Sequence, residues 1–112
     1  MTLPSNADLQ APPIDVSEKA FQAQILRLAS AYGWNFMHVP PAYVRGKWQT
    51  YIQGSPGYPD LTLARNGEVL LVELKSEKGR FRPGQEEWVK VAGSHGRIWR
   101  PSDWTEIVET LK

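Results

Sequence analysis

The sequence contains no cysteine. Disulfides and thiolate metal sites are therefore excluded, which is compatible with a reducing cytoplasm. Histidine occurs only at His38 and His95. These two lie far apart and bring no third ligand, so they do not suggest a zinc site. No apolar run approaches the ~20 residues that a membrane helix needs. The first residues have neither the charged start nor the apolar stretch of a signal peptide. Net charge is nearly absent as well, at +1. The molecule as a whole is therefore no general attractor of polyanions.

What remains is an ordinary globular composition of 112 residues, with 41% hydrophobic and 22% charged. That length fits one domain with one core. The charge is unevenly placed. Residues 75–100 hold seven basic and three acidic side chains, a local net of +4. A phosphate backbone could lie along such a segment, although a solvated loop would also read this way.

Residues 1–14 are rich in proline and polar residues, and a loose arm is expected there. A helix is expected over about Ser17–Tyr32, capped by Asp15 or Ser17 and ended by Gly33. Phe21, Ile25, Leu28 and Tyr32 form its apolar stripe, and Glu18 falls on the same stripe. Glu18 is either a first-turn residue facing the helix dipole or a carboxylate at the end of the buried face. Trp34–Val39 reads as a strand, stopped by Pro40-Pro41. A long connection, Ala42–Tyr58, carries Arg45, Lys47, Trp48 and Tyr51. Part of it could be a hairpin around Trp48–Ile52. Its basic and aromatic residues suit phosphate contact and base stacking, or simply cover the core.

Asp60–Arg65 and Glu68–Ser76 read as strands joined by Asn66-Gly67, a strong two-residue hairpin signal. The apolar run Val69-Leu70-Leu71-Val72 marks the second as a central strand, buried on both faces. Pro83 opens a helix to about Ala92, Arg97–Arg100 forms a short strand, and Ser102 or Asp103 caps a final helix. The order α-β-β-β-α-β-α predicts an α/β fold of three layers, a central mixed β-sheet flanked by helices. Trp34, Trp88, Trp99 and Trp104 fit packing positions.

The hairpin register has a chemical consequence. With Asn66 and Gly67 as the loop, Arg65 lies opposite Glu68, and Asp60 falls opposite Glu73 on the same sheet face. Lys75 leaves that face too, roughly 7 Å further along the strand. Two carboxylates at one point repel each other unless a cation lies between them. Hard oxygen ligands of this kind suit Mg²⁺ or Mn²⁺, with the backbone carbonyl of Leu74 as a further ligand. Such an ion polarises a phosphodiester and lowers the pKa of a bound water. Lys75 would orient that water or offset the charge that develops on phosphorus.

Gly57-Tyr58-Pro59-Asp60, Glu73-Leu74-Lys75 and Pro83-Gly84-Gln85 with Trp88 together resemble the VRR-NUC family of the PD-(D/E)XK nuclease superfamily. The resemblance covers about residues 17–101. It implies a restriction-endonuclease-like fold within a single domain at 15–112, and Mg²⁺- or Mn²⁺-dependent cleavage of DNA. It implies Asp60, Glu73 and, as a third acid, Glu18 as metal ligands, Lys75 as the catalytic lysine and Gln85 as a site organiser or phosphate contact. Arg45, Lys47, Lys78, Arg80 and Arg82 are the expected DNA contacts. Small stand-alone members resemble junction-resolving nucleases, so branched DNA such as a four-way junction is the expected substrate. A two-fold symmetric junction needs two nicks, which suggests a homodimer, with Trp48 and Tyr51 or the final helix as candidate interface. The alternative is a nucleic-acid-binding module with a nuclease-like fold and no turnover.

Overall fold

The computed structural model describes residues 3–38, 42–44, 46–49 and 53–112; the side chains of 42–44 and 47–49 lie outside that description. Among the described residues no helix is long and apolar enough to cross a membrane.

Part of the stretch expected as a loose arm is structured. Asn6–Leu9 form one turn of helix, α1, closed by a capping box. The Asp8 amide donates to Ser5 Oγ, and the Ser5 amide donates to Asp8 Oδ2. The turn is also tied down. Trp104 Nε1 donates to the Leu9 carbonyl at 2.9 Å, and Gln24 Nε2 donates to the Gln10 carbonyl at 2.7 Å. Four residues carry no readable periodicity, so only the Ser-x-x-Asp spacing signalled this turn.

Helix α2 spans Glu18–Ala31. Ser17 is its N-cap, its hydroxyl accepting the Ala20 amide at 3.1 Å. That decides between the two capping candidates. Phe21, Ile25, Leu28 and Ala29 are buried. Gly33 takes φ +87°, the left-handed conformation that ends the helix at little cost.

The main sheet has four strands in the order β1-β4-β5-β6: β1 Asn35–Met37, β4 Leu61–Arg65, β5 Glu68–Leu74 and β6 Gly96–Trp99. The first two pairings are antiparallel and β5–β6 is parallel, so the sheet is mixed. Asn66 and Gly67 both have positive φ, as a two-residue hairpin turn with matching twist requires. Arg65 pairs with Glu68 and Leu61 with Val72, the expected register. A separate hairpin joins β2 Ala42–Val44 to β3 Lys47–Gln49. It starts earlier in the chain than the hairpin expected around Trp48–Ile52.

Alternation along the strands sorts the layers. Leu61, Leu63, Leu70, Val72, Leu74 and Trp99 share one core cluster with α2 and with Trp104, Ile107 and Leu111 of α4, Trp104–Leu111. Burying each of these side chains contributes roughly 1.5–3 kcal/mol. The opposite face carries α3, Gln85–Ala92. A Cβ on Gly96 of β6 would sit 2.4 Å from the Val89 carbonyl of α3, so strand and helix meet backbone to backbone. The result is an α/β fold with a mixed sheet between two helical layers. Strand β5 is central, but Val69 remains 40% exposed and Leu71 is half-buried. The run was expected to be buried on both faces; α3 is only eight residues long and covers only part of its side.

A second close approach ties the loop before β4 to the start of α3. Gly57 has φ +87°, and a Cβ there would meet the Gly84 carbonyl carbon at 2.4 Å and the Gln85 nitrogen at 2.6 Å. Gly57→Ala therefore adds backbone strain to a clash with backbone that cannot move aside. It should cost about 3 kcal/mol and lower the melting temperature by on the order of 10 °C, read by thermal denaturation. A melting curve unchanged within about 2 °C would mean that these two segments do not touch.

Candidate active site

Strand β5 enters the site from the middle of the sheet, and β4 begins beside its far end. Asp60 lies one residue before β4, where the ladder would continue from Leu61↔Val72. Its carboxylate takes up a backbone role there: the Leu74 amide donates to Asp60 Oδ2 at 2.9 Å. The side chain thus closes the strand pair and is held next to Glu73. From just beyond β1, His38 fixes the other end of Asp60. A carbonyl only accepts, so His38 donates from Nδ1 to the Asp60 carbonyl at 3.0 Å. This support was missed in the sequence. The β1–β4 register carries the signal: Met37 pairs with Thr62, so His38, the residue after β1, falls opposite Leu61, the neighbour of Asp60.

Glu73 is completely buried. Lys75, just beyond β5, is 4% exposed, and its amide continues the ladder to the Trp99 carbonyl at 3.1 Å. Its Nζ lies 3.3 Å from Glu73 Oε2, an ionic contact. That contact lacks hydrogen-bond alignment, and neither Glu73 oxygen has a hydrogen-bond partner. Burial, and then the negative charge of Asp60, push the Glu73 carboxyl up from 4.5 to about 7, against the pull of Lys75. A buried carboxylate without hydrogen bonds, beside a second carboxylate, is an arrangement that a cation relieves. Carboxylate oxygens such as those of Glu73 and Asp60 are hard donors of the kind that divalent ions take. Among the described residues, no three of His, Cys, Asp and Glu gather into a metal-holding group.

The remaining expected site residues divide. Glu18 is exposed at the first position of α2. Its expected place on the buried stripe is corrected: burial begins one turn later, at Phe21, because the helix start projects past the core it packs on. Gln85 is half-buried, and its Oε1 accepts the Arg82 amide at 2.7 Å. It organises the turn that leads into its own helix. Lys78, Arg80 and Arg82 are exposed on the loop after Lys75. Lys47 lies on β3, with its side chain outside the described residues, as is that of Trp48. Arg45 and Tyr51 lie outside the described residues. Phe81, which the sequence did not single out, places its ring 5.7 Å from Lys75 Nζ, within cation–π range.

The model of the VRR-NUC domain matches residues 11–99. No curated protein and no solved structure matches the chain.

Proposed function

The chain belongs to the VRR-NUC domain family, and from that premise we propose that it is a divalent-metal-dependent endonuclease selective for branched DNA. Membership makes it a nuclease-type protein with DNA as substrate; the metal, the residues and the DNA shape are our reading. The observation that carries this reading is Glu73, buried beside Asp60 and Lys75 with no hydrogen bond to either oxygen.

Asp60, Glu73 and the Leu74 carbonyl would hold Mg²⁺ or Mn²⁺, which when bound supplies a polarised phosphodiester and a water of lowered pKa. Exposed Glu18 is not in this set. Lys75 is held between Glu73 and the Phe81 ring, so its ammonium needs no reorientation to meet charge that builds on the phosphate. Lys78, Arg80 and Arg82 would contact the phosphates of the strand being cut. With one such site per chain, two nicks in a four-way junction need two copies, and a C₂ homodimer supplies them. Helix α4 spends its apolar face on the core, which leaves Trp48 and Tyr51 as the candidate interface.

Purified protein should be assayed with Mg²⁺ or Mn²⁺ on single-stranded, duplex, flap, splayed-arm and four-way DNA. Branched substrates should be cut, and Asp60→Asn should reduce cutting by at least about 100-fold. Cleavage by Asp60→Asn at the wild-type rate would exclude this site. Tight DNA binding with no cleavage in either metal would favour the alternative, a binding module without turnover. Light scattering that finds only monomer, with junction cleavage intact, would remove the dimer.

A further inference from the structure

Seven residues separate Lys75 from Pro83, and they contain three exposed cations. The structure shows why this loop has a defined shape. Arg100, the residue after β6, turns its guanidinium back under it. Nη1 donates to the carbonyls of Ser76 at 2.7 Å, Glu77 at 3.1 Å and Gly79 at 2.9 Å. The same guanidinium faces the Phe81 ring, 5.5 Å from its centroid, the ring that also receives the Lys75 ammonium. Neighbouring residues complete the attachment. The Trp99 carbonyl takes the Lys75 amide, and the Ser102 amide donates to Glu77 Oε2 at 3.0 Å. Gly79 closes a tight turn, its amide donating to the Ser76 carbonyl at 3.1 Å.

Carbonyl oxygens that converge on one guanidinium direct the loop backbone inward. The side chains of Lys78, Arg80 and Arg82 are left in solvent. A charged donor makes each of these contacts stronger than a neutral one would. The three carbonyls share the two hydrogens of Nη1, and the planar guanidinium also faces the Phe81 ring, a combination that a lysine ammonium does not reproduce. Arg100 therefore directs its donors to the protein interior.

We propose that Arg100 is a positioning residue for DNA: it locks residues 76–81 so that Lys78, Arg80 and Arg82 meet phosphates in register with Lys75. This rests on the nuclease reading above. The loop then binds the DNA strand without first having to order itself, and Arg100 itself touches no phosphate.

The salt dependence of DNA binding separates positioning from direct contact. Each phosphate contact contributes about 0.9 to the slope of log K against log salt. Full-length protein carrying Asp60→Asn, to prevent cleavage, would be titrated with branched DNA from low to high salt. Arg100→Ala in that background should flatten the slope by about 2 to 3, as the combined Lys78→Ala, Arg80→Ala and Arg82→Ala variant does. A loss of only about 1, or none, would overturn the proposal, because one contact is what a direct phosphate ligand would take away. Arg100→Lys retains the charge and the stem. It should still flatten the slope by more than about 1, and a wild-type slope would overturn the proposal even if the alanine variant does not fold. With Asp60 intact, Arg100→Ala should raise KM at least about tenfold and lower kcat by a smaller factor, since Phe81 is released from the Lys75 ammonium while Glu73 still holds it. Wild-type protein that binds no DNA would overturn the nuclease reading together with this one. Wild-type binding whose slope the Arg100 variants preserve would overturn this one alone.

Discussion

Metal-free wild-type protein should lose on the order of 3 kcal/mol of folding stability as pH rises from 4.5 through about 7, and Glu73→Gln should abolish that loss. The sign follows from proton binding. Folding raises the Glu73 carboxyl from 4.5 to about 7, so across this window the native protein holds a proton that the unfolded chain has released. Its contribution is fully present below pH 4.5, falls as pH rises through 7 and is gone above it. The physical cause is burial, reinforced by Asp60 and only partly countered by Lys75. Glutamine has the shape of the protonated acid and cannot ionise, so its stability should be flat across the same window. Urea denaturation at steps from pH 4.5 to 8.5, in chelator, reads the difference. Mg²⁺ added to wild type at pH 8 should restore stability, because the ion binds only the native carboxylates, and Glu73→Gln should gain little. The same variant should lose DNA cleavage by at least about 100-fold. Parallel pH curves for the two proteins would mean that Glu73 is not the strained group.

Lys75→Ala should reduce cleavage on the order of 10³-fold while changing DNA affinity less than about threefold. The ammonium is almost fully buried, 3.3 Å from Glu73, and so is poorly placed to attract DNA from a distance. Its effect is confined to charge that forms at the reacting phosphate, which is a transition-state contribution. Single-turnover cleavage at saturating branched DNA, with binding measured separately, reads both parts. Removing Lys75 also takes away the one group that lowers the Glu73 carboxyl. The alanine variant should therefore keep its pH-dependent loss of stability, moved to higher pH. Cleavage within about tenfold of wild type would assign the charge-stabilising role to another cation.

How far the site could be read in advance depended on the kind of interaction. The Asp60–Glu73 pairing was legible because Asn66-Gly67 admits one tight turn, and strand alternation carries its register along the hairpin. Helix α2 was legible from its stripe and from Gly33. Glu18 misled because helical spacing says which residues share a face but not where along the helix the partner surface begins. Arg100 and His38 were missed because each acts on backbone carbonyls of segments more than 20 residues away. No local pattern marks such a bond.

The sequence by itself determined the α/β class, the hairpin, its register and the shared position of Asp60 and Glu73. These follow from periodicity and turn chemistry, which act over a few residues. Only the tertiary structure decided that Glu73 is wholly buried without a hydrogen bond, that Glu18 stays in solvent and that Arg100 holds the basic loop. Burial and charge balance at Glu73 are set by β6, the loop before β4 and Lys75 packing together. Distant segments meet there because the core closes behind them, and no single stretch of the chain encodes that closure.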